Sequence, residues 1–182
     1  MLELAEHILD IAENSIRAGA GTVEIVINED SAKDLLTIEI NDNGSGMTKE
    51  EIKKVDDPFY TTKTVRRVGL GIPLLADAAK MAGGSLRLKS AKGKGTKLTA
   101  TFALSHLDRQ PMGNITTTML TLIAGNSGVD FIYKHRHSDR RFTLDTRQIR
   151  KEIEDVPINH PEIIKYIRGV IDEGLREIKP TA

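Results

Sequence analysis

A strand with a carboxylate in its apolar phase is the feature that most restricts how this chain can fold. In the segment 35–42 the apolar residues Leu36, Ile38 and Ile40 alternate with polar ones, and Asp42 occupies the next position of the same alternation. Because successive side chains of a strand point to opposite faces, the Asp42 carboxylate is predicted to face the buried side of a sheet. An isolated buried carboxylate is costly. The sequence therefore predicts a partner or a ligand for Asp42.

A second polar residue lies in core phase at the start of a later strand. Thr96 follows a Gly-Lys-Gly turn and shares its phase with Leu98, Ala100, Phe102 and Leu104. Each residue alone is also consistent with a turn aspartate that caps local amides or with an ordinary strand-end threonine. Together, and with the flexible Gly44 and Gly46 after Asp42, they indicate a pocket in which a ligand approaches the backbone closely.

Periodicity and turn residues predict an α+β fold for the first hundred residues. The predicted elements are a helix at 3–18, strands at 22–28 and 35–42, a loop at 43–68, a helix from about Gly71 to Met81, and strands at 85–90 and 96–104. This αββαββ order predicts an α/β sandwich with helices on one face of a mixed sheet.

Beyond a connector near residues 109–113, the pattern predicts a C-terminal extension. Strands are predicted at 115–124, 129–135 and 141–144, with a hairpin turn at 125–128. Asp145 with Gln148, and Asn159 with Glu162, form capping boxes that predict two helices. We therefore divide the chain into a domain at 1–108 and an α/β extension at 109–182, which packs on that domain or stands apart from it.

Composition argues against several classes of protein. The chain has 26 basic and 26 acidic residues, so no overall charge attracts it to nucleic acid or an anionic membrane. The absence of cysteine excludes disulfides and thiol chemistry. No apolar run is long enough to span a bilayer, and four acidic residues interrupt the first twenty positions. We expect a cytoplasmic protein without membrane association.

Two further groups of residues have the chemistry of a phosphate site. Asp10, Asn14 and Arg17 form one stripe along the first helix, where an amide oxygen suits Mg²⁺ and a guanidinium suits a phosphate. Gly69-Leu-Gly71 opens a helix, whose free N–H groups favour an anion. A solvated helix face and an ordinary loop-to-helix junction explain either group taken singly. His135 and His137, with His106 or His160, form a weaker candidate for a metal site.

The combination of these segments resembles the GHKL family of gyrase, heat-shock chaperones, histidine kinases and MutL. The segment Asp10 to Ala20 resembles its N box, and Asp42 to Met47 resembles its first glycine box. Pro58 to Lys63, followed by Gly69 to Ile72, is similar to the lid and second glycine box of histidine-kinase ATPase domains. Gly93 to Thr96 is similar to the final box.

The resemblance implies a Bergerat fold that binds ATP and Mg²⁺. In the family's pattern Asn14 binds Mg²⁺, Asp42 accepts a hydrogen bond from the adenine amino group and Thr96 supports that contact. The other implied nucleotide-binding residues are Arg17, Gly44, Gly46, Lys63, Gly69 and Gly71. Asp10 occupies the position of the catalytic base, where hydrolytic members usually carry the longer glutamate.

Three functions follow from these residues. The first is an ATP-binding regulator with a histidine-kinase-like ATPase domain, which acts on an unidentified partner protein by nucleotide-dependent binding or by phosphorylation. The second is a slow ATP-hydrolysing enzyme with Asp10 as base. The third is a degenerate interaction module, against which the intact Asn14, Asp42 and Thr96 argue. A homodimer is an alternative to a monomer in each case.

Overall fold

A computed structural model of the chain describes residues 2–54 and 71–182. Its strands are β1 (Thr22–Asp30), β2 (Leu35–Asp42), β3 (Ser85–Ser90), β4 (Thr96–Ala103), β5 (Asp130–His137) and β6 (Arg140–Asp145). The helices within this part are α1 (Leu4–Arg17), α2 (Lys49–Lys54), α3 (Gly71–Met81), α4 (Ile115–Gly125), α5 (Thr146–Ile153) and α6 (Pro161–Ile178).

The six strands form one mixed sheet in the order β3-β4-β2-β1-β5-β6. β1 runs parallel to β5, and the other neighbouring pairs are antiparallel. The inward residues of the central strands, such as Ile25 and Ile38, are fully buried against the helices, and each contributes about 1.5–3 kcal/mol by leaving water. The predicted α+β sandwich is confirmed.

The predicted elements of the N-terminal half agree with the structure within two residues at most ends. β2 and β3 have the predicted bounds, and α3 begins at Gly71 as expected. One prediction was wrong: the segment 43–68 was expected to be a loop, but its described part contains α2. Thr48 caps that helix, because its Oγ1 accepts from the N–H of Glu51 at 3.2 Å, and Glu51 reaches back to the N–H of Thr48 at 2.7 Å.

The largest error of the sequence interpretation is at residues 115–124, which form helix α4 and not a strand. Threonines at 116–118 suggested a strand, but Asn114 caps a helix by accepting from the N–H of Thr117 at 2.8 Å. The buried threonines find partners within the helix layer, since Thr116 donates to Asp172 at 2.9 Å. Packing between helices therefore overrides the strand propensity of threonine.

The caps of the last two helices were predicted with mixed success. Asp145 caps α5 as expected, accepting from the N–H of Arg147 at 3.0 Å. α6 was expected to begin after Asn159, but His160 is its N-cap residue and Pro161 occupies its first turn. Proline is favoured there because its missing N–H has no partner within the helix. None of the helices in the described ranges is long and apolar enough to span a membrane.

The C-terminal part continues the sheet of the N-terminal part. β5 pairs with β1 along eight register positions, from Thr22 with Asp130 to Glu29 with His137. The connector also supports α1, because the free N–H groups of Leu4 and Ala5 donate to the carbonyls of Pro111 and Met112. The division of the chain at residue 108 into two folding units stays a prediction.

A fully buried carboxylate ties the C-terminal residues to β1. Glu29 shares the inward phase of β1 and accepts four hydrogen bonds. One comes from His135 Nε2 at 2.7 Å, and three come from the N–H and hydroxyl of Thr181 and the N–H of Ala182. Burial raises the pKa of Glu29, but the hydrogen bonds from His135 and Thr181 outweigh it and lower the pKa to about 2.

Glu29→Gln is expected to lower the free energy of unfolding at pH 7 by about 3 kcal/mol, because a buried network loses its charged acceptor. The pKa of Glu29 in the folded protein lies below the unfolded value of 4.5. Its contribution is therefore complete above pH 4.5 and is lost as the pH falls towards 2. Urea unfolding of the wild type, Glu29→Gln and the exposed control Glu173→Gln at several pH values checks this. Equal stability of the two variants at pH 7 would contradict it.

Candidate functional site

Asp42 brings three elements of the fold together. Its Oδ2 accepts from the hydroxyl of Ser15 on α1 at 2.7 Å. Its Oδ1 accepts from the backbone N–H of Gly44 at 2.9 Å and of Thr96, its register partner on β4, at 3.2 Å. A carboxylate has about four acceptor positions. Three donors therefore fix the orientation of this half-buried carboxylate and leave about one position for an incoming donor.

The loop after Asp42 is held against the C-terminal end of α1. Asn43 Oδ1 accepts from the N–H groups of Gly21 and Thr22, both at 2.9 Å. Ser45 donates its N–H to the carbonyl of Ala18 at 2.8 Å. A Cβ at residue 44 would lie only 3.0 Å from that carbonyl oxygen. Glycine suits residue 44 because the backbone passes close to α1.

The other side of the loop is held by the turn between β3 and β4. Ser90 Oγ accepts from the N–H of Met47 at 2.8 Å and lies 2.9 Å from both the Gly95 carbonyl and Thr96 Oγ1. Gly46 has a φ of 61°, and a Cβ there would overlap the carbonyl oxygen of Ala91. Both the backbone conformation and the close approach require glycine at residue 46.

Polar side chains on α1 are bonded to one another beside this pocket. Arg17 donates to Asn14 Oδ1 at 2.8 Å and forms an ion pair with Glu13 at 2.6 Å. Asn14 directly precedes Ser15, whose hydroxyl donates to Asp42. The Asn14 side chain and the helix contact of Asp42 therefore come from adjacent residues of α1. His7, another polar residue of α1, is buried. Its Nε2 lies 3.0 Å from Gln110 Oε1 of the connector.

Asp10 lies against the beginning of α3. A Cβ at Gly71 would overlap the Asp10 carboxylate, so the glycine permits this contact between α1 and α3. The first turn of α3 has no acidic residue, and its N-terminal N–H groups carry the positive end of the helix dipole. This helix end and the stripe of α1 therefore face each other, with the Asp10 carboxylate between them.

The structure thus assembles most of the residues that the sequence singled out. Asp42 and Thr96 line one depression next to the loop of Gly44 and Gly46, Asn14 and Arg17 are bonded on α1, and Asp10 contacts Gly71. Lys63 and Gly69 lie outside the described residues. Sequence reasoning missed Ser15, Asn43 and Ser90. The sequence pattern could have indicated two of them. Ser15 lies among the buried positions of α1, and Ser90 is on the same inward face of β3 as Leu86 and Leu88.

The histidines of the C-terminal part do not form a metal site among the described residues. No group of three or more metal-binding side chains occurs in those ranges. His135, one of these candidate ligands, is buried between Glu29 and the hydroxyl of Tyr133, which lies 2.7 Å from Nδ1. The inward phase of β5 explains its burial, because it places His135 beneath the helices.

Comparison with known proteins shows the family of the chain. The profile described as histidine kinase-, DNA gyrase B- and HSP90-like ATPase matches residues 2–106, more than half of the chain. The chain belongs to this family. It is similar to the sensor protein DegM of Bacillus sp., with 32% identity over 53% of this chain, and to sporulation kinase C of Bacillus subtilis, with 31% identity over 52%. The matches cover only 26% and 22% of those relatives.

A solved structure also resembles the chain. The Aquifex aeolicus MutL ATPase domain complexed with ADP matches 85% of this chain and 68% of its own length, with a TM-score of 0.55 and 15% identity. At that identity the likeness supports the fold alone. The chain is thus a histidine-kinase-like ATPase-family domain with a GHKL fold.

Gly46→Ala is expected to destabilise the protein more than Gly93→Ala. Both glycines have positive φ, 61° and 75°, which costs an alanine about 1–2 kcal/mol. Only at Gly46 would the new Cβ also overlap backbone, whereas no atom lies within 4 Å of a Cβ at Gly93. Overpacking adds about 1–3 kcal/mol. Urea unfolding of both variants measures the difference, and equal losses would show that the contact at Gly46 is relieved without cost.

Proposed function

We propose that this chain binds adenine nucleotides in the pocket formed by α1, β2 and β4. The observation that carries the proposal is the Asp42 carboxylate, which three donors orient and which retains about one acceptor position. The adenine amino group is a donor that suits this position. Guanine presents a carbonyl at the corresponding place, so a carboxylate there favours ATP and ADP over GTP.

The residues of α1 suit a magnesium-bound phosphate chain. Mg²⁺ prefers oxygen ligands and is often held by one or two protein groups together with phosphates and water. Asn14 offers one amide oxygen, which currently accepts from Arg17, and Arg17 has further N–H groups for a phosphate. When bound, Mg²⁺ neutralises phosphate charge. We assign Asn14 to the metal and Arg17 to the phosphates.

The remaining contacts follow the same assignment. Gly44 and Gly46 shape the loop that borders the nucleotide, Thr96 supports Asp42, and the N-terminus of α3 at Gly71 faces the phosphates. Lys63 and Gly69 belong to this proposed site through the family pattern alone.

We further propose that nucleotide binding regulates a partner protein. The similarity to sensor proteins supports a signalling role, and the family profile ends at residue 106, before β5, β6 and α4 to α6. Binding alone or phosphoryl transfer to a side chain of the partner would both meet this role. A location in the cytoplasm stays part of the proposal.

Asp42→Asn is expected to weaken ATP and ADP binding by at least about tenfold. The substitution replaces one acceptor oxygen by an NH₂ donor, which leaves polar groups of the pocket without matching partners at a cost of about 1–3 kcal/mol. Titration calorimetry with ATP, ADP and GTP measures the change. Glu39→Gln is the matched control, because Glu39 lies on the same strand but on its opposite face. Equal affinity of the wild type for ATP and GTP would refute the assignment of Asp42.

A slow hydrolytic activity is the second candidate function, and the contact of Asp10 with Gly71 favours it. A carboxylate at this helix end could accept a proton from water as the water attacks the terminal phosphate. Asp10→Glu is expected to increase phosphate release by about tenfold or more, because general-base assistance is worth about two to four decades and glutamate extends further. Steady-state phosphate release of wild type, Asp10→Glu and Asp10→Ala at equal nucleotide occupancy tests this. Three equal rates would remove Asp10 from catalysis and favour the regulator.

A further inference from the structure

The strand β3 has a free edge. It is the terminal strand of the sheet, and within the described residues it pairs only with β4. An edge strand presents backbone N–H and C=O groups that can pair with another extended chain. β3 is therefore a place where a partner can be recognised through its backbone.

The segment that contains this edge is strongly basic although the chain as a whole is neutral. Residues 85–98 include no acidic residue and five exposed cations, which are Arg87, Lys89, Lys92, Lys94 and Lys97. Lys97 forms an ion pair with Glu39 at 2.8 Å. In the part of the chain that the structure describes, the other four have no ion pair. The edge thus offers unpaired positive charge to a partner.

Two of these cations are placed where they repel each other. Lys89 is the register partner of Lys97 on β4, and like charges directly opposite in a sheet cost up to about 1 kcal/mol. The open depression of about 350 Å³ beside Asp42 and Thr96 extends to this point, where Lys89, Lys94 and Lys97 line it. An acidic group in this depression would relieve the repulsion.

The inward face of β3 is incompletely covered. Leu86 and Leu88 are half-buried, whereas their register partners Ala100 and Leu98 are 0% and 1% exposed. The difference arises because the sheet ends at β3. An additional strand would cover these leucines and gain their remaining apolar burial.

We propose that the free edge of β3 binds, by strand addition, an extended segment of a partner protein in which acidic and apolar residues alternate. The twofold period of a strand would place the acidic residues beside Arg87 and Lys89 and the apolar residues beside Leu86 and Leu88. A second copy of β3 is a poor occupant, because it would bring the same cations to the edge.

This edge is connected to the Asp42 pocket. Ser90, the last residue of β3, contacts Thr96 Oγ1, and the N–H of Thr96 donates to Asp42. Nucleotide in the pocket and a strand at the edge therefore restrain the same turn between β3 and β4. The resulting change of partner affinity with nucleotide rests on the proposed function, whereas binding at the edge does not.

A fluorescent heptapeptide that alternates glutamate with valine provides a probe, and fluorescence anisotropy at low salt measures its affinity for the full chain. Arg87→Glu/Lys89→Glu is expected to weaken binding at least tenfold. The control Lys165→Glu/Arg168→Glu has the same change of charge on exposed positions of α6 and is expected to change affinity less than twofold. A peptide with proline at its central position is expected to bind at least tenfold more weakly, because proline cannot donate to the ladder.

Equal losses in the two charge variants would overturn the proposal in favour of general electrostatic attraction. Undiminished binding of the proline peptide would overturn strand addition. Tighter binding of an oligouridylate at the same residues would assign the edge to nucleic acid instead.

The link to the pocket is tested separately by adding ADP. Peptide affinity is expected to change at least threefold in the wild type and to stay constant in Asp42→Asn. A constant affinity in the wild type, with ADP binding seen by calorimetry, overturns only the link. Absence of ADP binding overturns the proposed function and leaves the result at the edge unaffected.

Discussion

The hydrogen bonds of Asp42 are the constraint on which the arrangement of this site depends. A carboxylate in the inward phase of β2 must have partners, and Ser15 of α1 and the Thr96 amide of β4 provide them. One side chain thereby sets the position of α1 against the sheet and orders the loop at Gly44. The same interactions that satisfy this half-buried charge shape the pocket, so stability and the proposed binding function share their atoms.

Glu29 is a second carboxylate in the inward phase of a strand, but it is fully buried and its hydrogen bonds form no pocket for a ligand. It lies in the inward phase of β1, and its four acceptor positions are used by His135, Thr181 and Ala182. No position remains for a ligand. The two acids therefore differ in their free acceptor positions. Glu29 uses all of its positions to hold the C-terminal residues, whereas Asp42 can accept from one further donor.

The C-terminal part is an addition to the residues that the family profile matches. β5 and β6 lengthen the sheet beyond β1, while β3 stays as the opposite edge. α4 and α6 extend the helix layer, and Thr116 joins them through Asp172. The addition therefore increases the core on one side, and among the described residues the basic edge next to the Asp42 pocket stays free for the partner that we propose.

The sequence by itself determined the elements whose periodicity and end signals agree, such as β2, β3 and α3. From phase, spacing and family motifs it also predicted Asp42, Thr96 and Asn14 as residues of the site. The burial of Glu29 could have been predicted in the same way, because it continues the apolar alternation of Ile25 and Ile27 in β1. Only the tertiary structure decided that residues 115–125 form a helix, that His7 is buried by Gln110, and that Ser15 is the partner of Asp42. These outcomes depend on contacts between residues far apart in the chain, and local propensity contains no information about such contacts.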